Sequence, residues 1–260
     1  MKIVIITRGR VGKQHTLANL PEILSPNIYI CCPPDEDHHW PRTLHEPFPM
    51  NYSEKFQWIL DGAGGKLSGK VVIMDDDLRF SARDPNDATK LLSATENQVF
   101  EGLMHMHTLL NEHPLVGFHP RAMGNNTAGT DVMYDKRINA MQGLNLDLIG
   151  KVKVDYYPIL ADMFLNLTLL TRGQGNAIIC SPFWDQVGSS NAPGGCSLHR
   201  TWDQQREAVL GLKAMFPEFV TVKEKVVKDG WWGPDKPRYD FIIQWKKAAL
   251  FGRKLKERMK

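Results

Sequence analysis

Asp75, Asp76 and Asp77 follow directly on four apolar residues in the stretch Val71-Val-Ile-Met-Asp-Asp-Asp-Leu-Arg79. Each carboxylate is costly to desolvate, and crowding three raises the cost of ionising them all. Ligands of open α/β sheets bind at the carboxyl ends of the strands. Acids there suit a hard divalent cation, Mg²⁺ or Mn²⁺, which offsets their repulsion and neutralises a phosphate-bearing substrate. The competing reading is a solvated acidic turn capping the next helix, but three charges exceed what a cap needs.

A second chemical signal is Thr7-Arg8-Gly9-Arg10, directly after the apolar run Ile3 to Ile6. Arginines grip phosphate or base edges by paired hydrogen bonds, and glycine lets a backbone approach a ligand closely. Beside an acidic site on a neighbouring strand, this loop suggests a nucleotide diphosphate. Gly194-Gly-Cys-Ser-Leu-His-Arg200 is glycine-rich but lacks the spacing and lysine of a phosphate-binding P-loop. In it His199 either completes the metal site or is structural, and Cys196 has no base partner that would make it a nucleophile. The pairs His38/His39 and His105/His107 lack the Cys or carboxylate partners of a zinc site and read as surface or helix residues.

These side chains need a scaffold. Strands are expected at 2–6, 27–32, 71–74, 115–118, 155–160 and 176–180. Helices are expected at 52–60 with Ser53 as N-cap, 87–112, 162–170 and 201–216. Strand and helix alternate over the first 80 residues, which predicts an α/β fold with a mostly parallel central sheet flanked by helices. No linker divides the chain, so 1–220 reads as one domain. The remaining 221–260 reads as an aromatic and basic extension packed on it.

The 260 residues are 42% hydrophobic with net charge +3. Residues 246–260 alone carry seven Lys/Arg and one Glu, a local +6 that leaves −3 elsewhere. This segment fits a polyanion-binding tail, with Lys254, Lys256 and Arg258 on phosphates. It equally fits a helix docked through Ala248, Phe251, Leu255 and Met259. Trp231, Trp232 and Arg238 just before it could stack on exposed bases and hold phosphates, or form a flap over the core. Four cysteines without zinc spacing point to a reduced, cytoplasmic protein. No apolar stretch is long enough to span a membrane, and no membrane partner is expected.

TRGR after the first strand, QHTLANLPEIL, SEKFQWIL, VVIMDDDLRF, ADMFLNLTLLTRGQGNAI, GGCSLHRT and FPEFV, spread from Ile3 to about Val220, resemble the TET-associated glycosyltransferases of bacteriophages. That family lies within the GT-A nucleotide-sugar glycosyltransferases. The resemblance implies a GT-A-like single domain, a UDP-sugar donor and a Mn²⁺ or Mg²⁺ cofactor. It implies sugar transfer to a hydroxymethylated pyrimidine such as 5-hydroxymethylcytosine in double-stranded DNA, in a host cytoplasm. It assigns Asp77 to the metal and Asp75 to metal or ribose. Thr7, Arg8 and Arg10 become the nucleotide loop, with Lys55 near the uracil or phosphates. Asp162 becomes the general base, although Ala161 stands where the family pattern has Glu. Asp76 joins the donor-binding set but is expected to matter least, because strand alternation turns it away from its neighbours. A carbohydrate or protein acceptor, a nucleotidyltransferase and a non-enzymatic DNA-binding accessory protein are the alternatives.

Overall fold

The computed structural model describes residues 1–186, 200–226 and 236–259. In chain order its elements are β1 (Lys2–Ile6), α1 (His15–Ala18), β2 (Ile28–Cys32), β3 (Thr43–His45), α2 (Tyr52–Leu60), β4 (Lys70–Asp75), β5 (Leu78–Asp84), β6 (Asp87–Ser93), α3 (Glu96–Leu109) and β7 (Leu115–Pro120). There follow β8 (Val132–Tyr134), β9 (Met141–Asn145), α4 (Leu146–Ile149), α5 (Ala161–Thr171), β10 (Ala177–Gln186), α6 (Trp202–Met215), β11 (Val220–Lys225), β12 (Arg238–Ile243) and α7 (Trp245–Arg258).

One ten-stranded sheet runs in the order β3-β2-β1-β4-β9-β7-β10-β5-β6, with β8 also pairing β10. Strands β3, β2, β1 and β4 are all parallel; β9, β5 and β8 run against the rest, so seven of the ten share one direction. The sheet is mixed but mostly parallel, with helices on both faces. β4 shows why its sequence is continuously apolar. Val71 and Ile73 pack on one face among Phe56, Phe164 and Leu167. Val72 and Met74 pack on the other among Leu103, Met106 and Phe118. A strand covered on both sides has no polar face to alternate with. The adjacent Cys31 and Cys32 likewise fall in opposite core clusters. Their thiols are free, and burial raises them to about 12 and about 11.

Several expectations are corrected. Residues 87–112 are not one helix: β5 turns back through Pro85 and Asn86 into β6, and α3 starts only at Glu96, capped by Thr95 and Gln98. Residues 155–160 are not a strand. The approach to them is held by Gln57 of α2, whose side chain accepts from Val154 N at 2.8 Å and donates to Val152 O at 3.1 Å. Tyr156 and Tyr157 then pack on Phe164. Helix α2 is capped by Asn51, not Ser53. Asn51 and Glu54 satisfy each other's backbone N–H groups, and Ser53 is buried.

Helix α7 docks on α5 through Ala248, Ala249 and Gly252, and Phe251 packs on buried Phe219 with ring centroids 5.4 Å apart, whereas Leu255 and Met259 stay exposed. The contact is set by backbone approach: a Cβ on Gly252 would overlap Leu170 O and Gly173 N. β11 and β12 form a separate antiparallel pair that leads into α7. No helix among the described residues is long and apolar enough to cross a membrane.

Candidate active site

β1 and β4 are parallel neighbours, with Ile6 opposite Asp75. The TRGR loop and the acid turn therefore leave the sheet side by side. Buried Thr16 fixes the turn's backbone: its N–H donates to Asp76 O at 3.0 Å, its hydroxyl donates to Asp75 O, and that hydroxyl oxygen also accepts from Leu78 N at 2.8 Å. The Thr7 hydroxyl donates to Asp76 Oδ2. The Arg10 guanidinium bridges Asp76 and Asp77, 3.2 Å from Asp77 Oδ2. Gln186, the last residue of β10, donates to Asp77 Oδ1 at 3.3 Å. Asp76 is thus not turned away from the site. It is the acid most tightly held by the first loop.

Asp75 differs from both. Its carboxylate makes no hydrogen bond or ion pair with a described residue. Burial pushes its pKa well up, and Asp77, Asp76 and Asp162 add to the rise, only partly offset by Arg10. Asp76 is raised by burial against the pull of Thr7 and Arg10. Asp162, at the start of α5, is raised by burial, with Arg137 and then Arg200 acting in opposition. The charge of Asp162 is among those that raise Asp75, so the start of α5 lies within electrostatic reach of the acid turn. Asn166, one turn further along α5, brings Arg137 there, because its amide accepts from Ile138 N at 3.2 Å and donates to Ile138 O at 2.9 Å.

Lys55 lies behind the loop. It forms a buried ion pair with Glu46 and donates to Thr7 O at 3.0 Å. Glu46 is 2% exposed and also holds Arg8 at 3.3 Å and Met50 N at 2.6 Å. As placed, Lys55 and Arg8 brace the loop that carries Thr7 and Arg10. Of the other expected site residues, Arg238 is exposed and paired with Asp240, which Lys225 also binds at 2.7 Å. His199, Trp231, Trp232 and Cys196 lie outside the described residues. His38 is bound to Glu36 at 3.0 Å, and Glu36 also accepts from Gly9 N at 2.7 Å, which ties this histidine to the first loop.

Lys254, Lys256 and Arg258 follow Arg253 on α7, and Arg253 lies at the opposite end of the sheet. Arg253 pairs with Asp135 at 2.7 Å, and Asp135 N donates to Asn176 O just before β10 starts. The far end of the same strand holds Gln186 on Asp77. Ten residues of strand separate the two ends, about 30 Å of extended chain.

Sequence reasoning missed Glu46, Arg137, Gln186 and Arg200. Glu46 directly follows strand β3 and the buried Leu44, a position that hints at burial. The others reach the site only through pairings of distant segments, which leave no local pattern. Asp75 and Asp77 supply hard oxygen donors of the right kind for Mg²⁺ or Mn²⁺. Among the described residues no group of three His, Cys, Asp or Glu completes a protein-only site. One or two carboxylates completed by substrate phosphates suffice for such ions.

No protein-family model matches the chain, and no curated protein does. Among solved structures, the chain is similar to a crystal structure from Desulfovibrio desulfuricans that carries the provisional name nucleotide-diphospho-sugar transferase. The two share 13% identity and a TM-score of 0.32 over 63% of this chain and 68% of that one. A likeness of that extent carries no argument, and the weight falls on the geometry of the site.

Proposed function

We propose that this chain is a GT-A-type glycosyltransferase that moves a hexose from a UDP-sugar to a hydroxymethylated pyrimidine, 5-hydroxymethylcytosine, in DNA. The carrying observation is the convergence of the Arg10 loop, Asp75–Asp77 and Asp162 at the carboxyl ends of β1 and β4. The UDP donor and the DNA acceptor come from the resemblance to the phage family, not from the geometry. Asp75 and Asp77 would hold Mn²⁺ or Mg²⁺, which supplies positive charge to the departing diphosphate. Thr7 and Arg10 face the nucleotide, steadied from behind by Arg8, Lys55 and Glu46. The raised proton affinity of Asp162 suits it to take the proton from the acceptor hydroxyl as that oxygen attacks the anomeric carbon. The new C–O bond forms as the bond to UDP breaks, and the proton stays on Asp162. Arg137 and Arg200 favour the ionised form of Asp162, acting against burial.

The test is incubation with a panel of UDP-sugars, Mn²⁺ and DNA with or without 5-hydroxymethylcytosine, read by nucleoside mass spectrometry. One hexose should appear on the hydroxymethylated nucleoside alone. Asp77→Ala should lower turnover by at least about 10²-fold, about 2.7 kcal/mol of barrier, and abolish divalent-dependent UDP binding with an unchanged circular dichroism spectrum. Unchanged Mn²⁺-dependent UDP affinity in that variant, by calorimetry, would refute the metal assignment. Absence of both transfer and UDP-sugar hydrolysis in the wild type would refute the whole reading.

A further inference from the structure

Helix α6 begins two residues after Arg200, whose charge acts on Asp162. Its first residue, Trp202, donates from Nε1 to Pro237 O at 2.8 Å, which ties the start of α6 to the approach to β12. Tyr239 meets the Trp202 ring edge-on, with centroids 5.9 Å apart. Arg206, one turn along α6, lies 5.9 Å from both ring centroids, and Lys236 lies 5.6 Å from that of Trp202.

The two cations are matched by aromatic faces instead of carboxylates. Neither has an acidic partner among the described residues, whereas their neighbours Arg238 and Lys225 are both committed to Asp240. An aromatic face attracts a cation without cancelling its charge. Among the described residues the cluster therefore leaves both positive charges without a carboxylate, next to partly exposed rings. A neutral sugar would be served by carboxylates and amides beside the rings, and this cluster has two cations there. Phosphates gripped by Arg and Lys, with bases stacked on aromatics, are how proteins hold nucleic-acid strands.

We infer that Trp202, Tyr239, Arg206 and Lys236 form an acceptor platform that holds a nucleic-acid strand at the start of α6. This rests on the acceptor half of the proposed function and moves the polyanion-binding surface from α7 to the start of α6.

The test uses the full chain, without donor, and fluorescein-labelled unmodified 20-mers, single-stranded and duplex, read by anisotropy across a salt series. Arg206→Glu with Lys236→Glu should weaken binding at least about tenfold and lower the duplex salt slope by about 2. Trp202→Ala should weaken single-strand binding by about 5- to 150-fold, and Trp202→Phe should restore most of it. Thermal melting confirms that each variant is folded; should Trp202→Ala fail to fold, the charge pair and Trp202→Phe decide. Wild-type affinity and slope in the folded charge-reversed variant, or no oligonucleotide binding by the wild type, overturns the inference. Donor hydrolysis by the wild type is scored separately. Hydrolysis without oligonucleotide binding sinks the platform alone. Binding lost in these variants but no donor turnover upholds the platform and sinks the enzyme reading.

Discussion

The acid turn Asp75–Asp77 and the helix α7 are both runs of like charge, one negative and one positive. At the acid turn the charges are withdrawn from water, and the chain answers them with Thr7, Arg10 and Gln186, drawn from two other segments, while Thr16 holds the turn's backbone. On α7 the charges stand in water. Lys247 reaches Glu218 O and Arg253 reaches Asp135, while the helix is seated by alanine and glycine on its opposite side. A charge run that ends a buried strand has to be accommodated, and the accommodation builds a site. A charge run along a surface helix costs little and builds nothing by itself. Burial, not the density of charge in the sequence, separates the two.

The contrast is most easily overturned at Glu46, the buried carboxylate behind the first loop. Glu46→Ala strands Lys55 and should cost about 3–5 kcal/mol in denaturant unfolding. Glu46→Leu combined with Lys55→Met should recover most of that, because a packed apolar pair removes both desolvation penalties. A loss below about 1 kcal/mol for Glu46→Ala would mean that this pair behaves like a surface one.

A smaller effect is expected at Asp75. Its folded pKa lies above the unfolded value of about 3.9, so its ionisation cost is present in full above the folded pKa and absent below the unfolded one. In chelator-treated protein, Asp75→Asn should therefore raise Tm near pH 7.5, by about 2–4 °C per kcal/mol relieved. The gain should fade as pH falls and vanish near about pH 4. A gain that is constant with pH would point to packing instead of charge.

The smallest effect is expected on α7. Reversing Lys254, Lys256 and Arg258 together should shift stability by no more than about 0.5 kcal/mol per site. It should also weaken oligonucleotide binding less than the Arg206/Lys236 pair does. If the α7 variant is instead the weaker binder, the solvated run is the functional one and the contrast between the two runs is reversed.

Much of the positioning frame is readable in the sequence because it is local. Lys2–Ile6, Ile28–Cys32 and Lys70–Asp75 announce themselves as short apolar runs, and Tyr52–Leu60 by its helical period. The error at 87–112 comes from weighing leucine spacing above punctuation. Pro85-Asn86 marks the hairpin, and Thr95-Glu-Asn-Gln98 is a capping box that places the helix start. Asn51-Tyr-Ser-Glu54 is another such box, easily passed over in favour of Ser53. The site itself is half legible. Acids at a strand end and arginines in the adjacent loop share a pattern, whereas Gln186 on Asp77 and Arg137 near Asp162 depend on which distant strands pair. The middle acid is misjudged when alternation is extended past the end of the strand, where the chain turns and the rule no longer holds.

The site's assembly from distant segments also orders it in time as the chain is made. Thr7 and Arg10 precede Asp76 by 69 and 66 residues, so their neutralising groups already exist when that acid is synthesised. Gln186 follows Asp77 by 109 residues, a lag of about 5–20 s at ordinary translation rates of about 5–20 residues per second. Through that interval the nascent chain has Thr7 and Arg10 to set against its three carboxylates but not Gln186, because strand β10 is not yet made. A ribosome-stalled fragment ending before Ala177 would carry the whole acid turn and its guanidinium partner, with β10 and its Gln186 still missing.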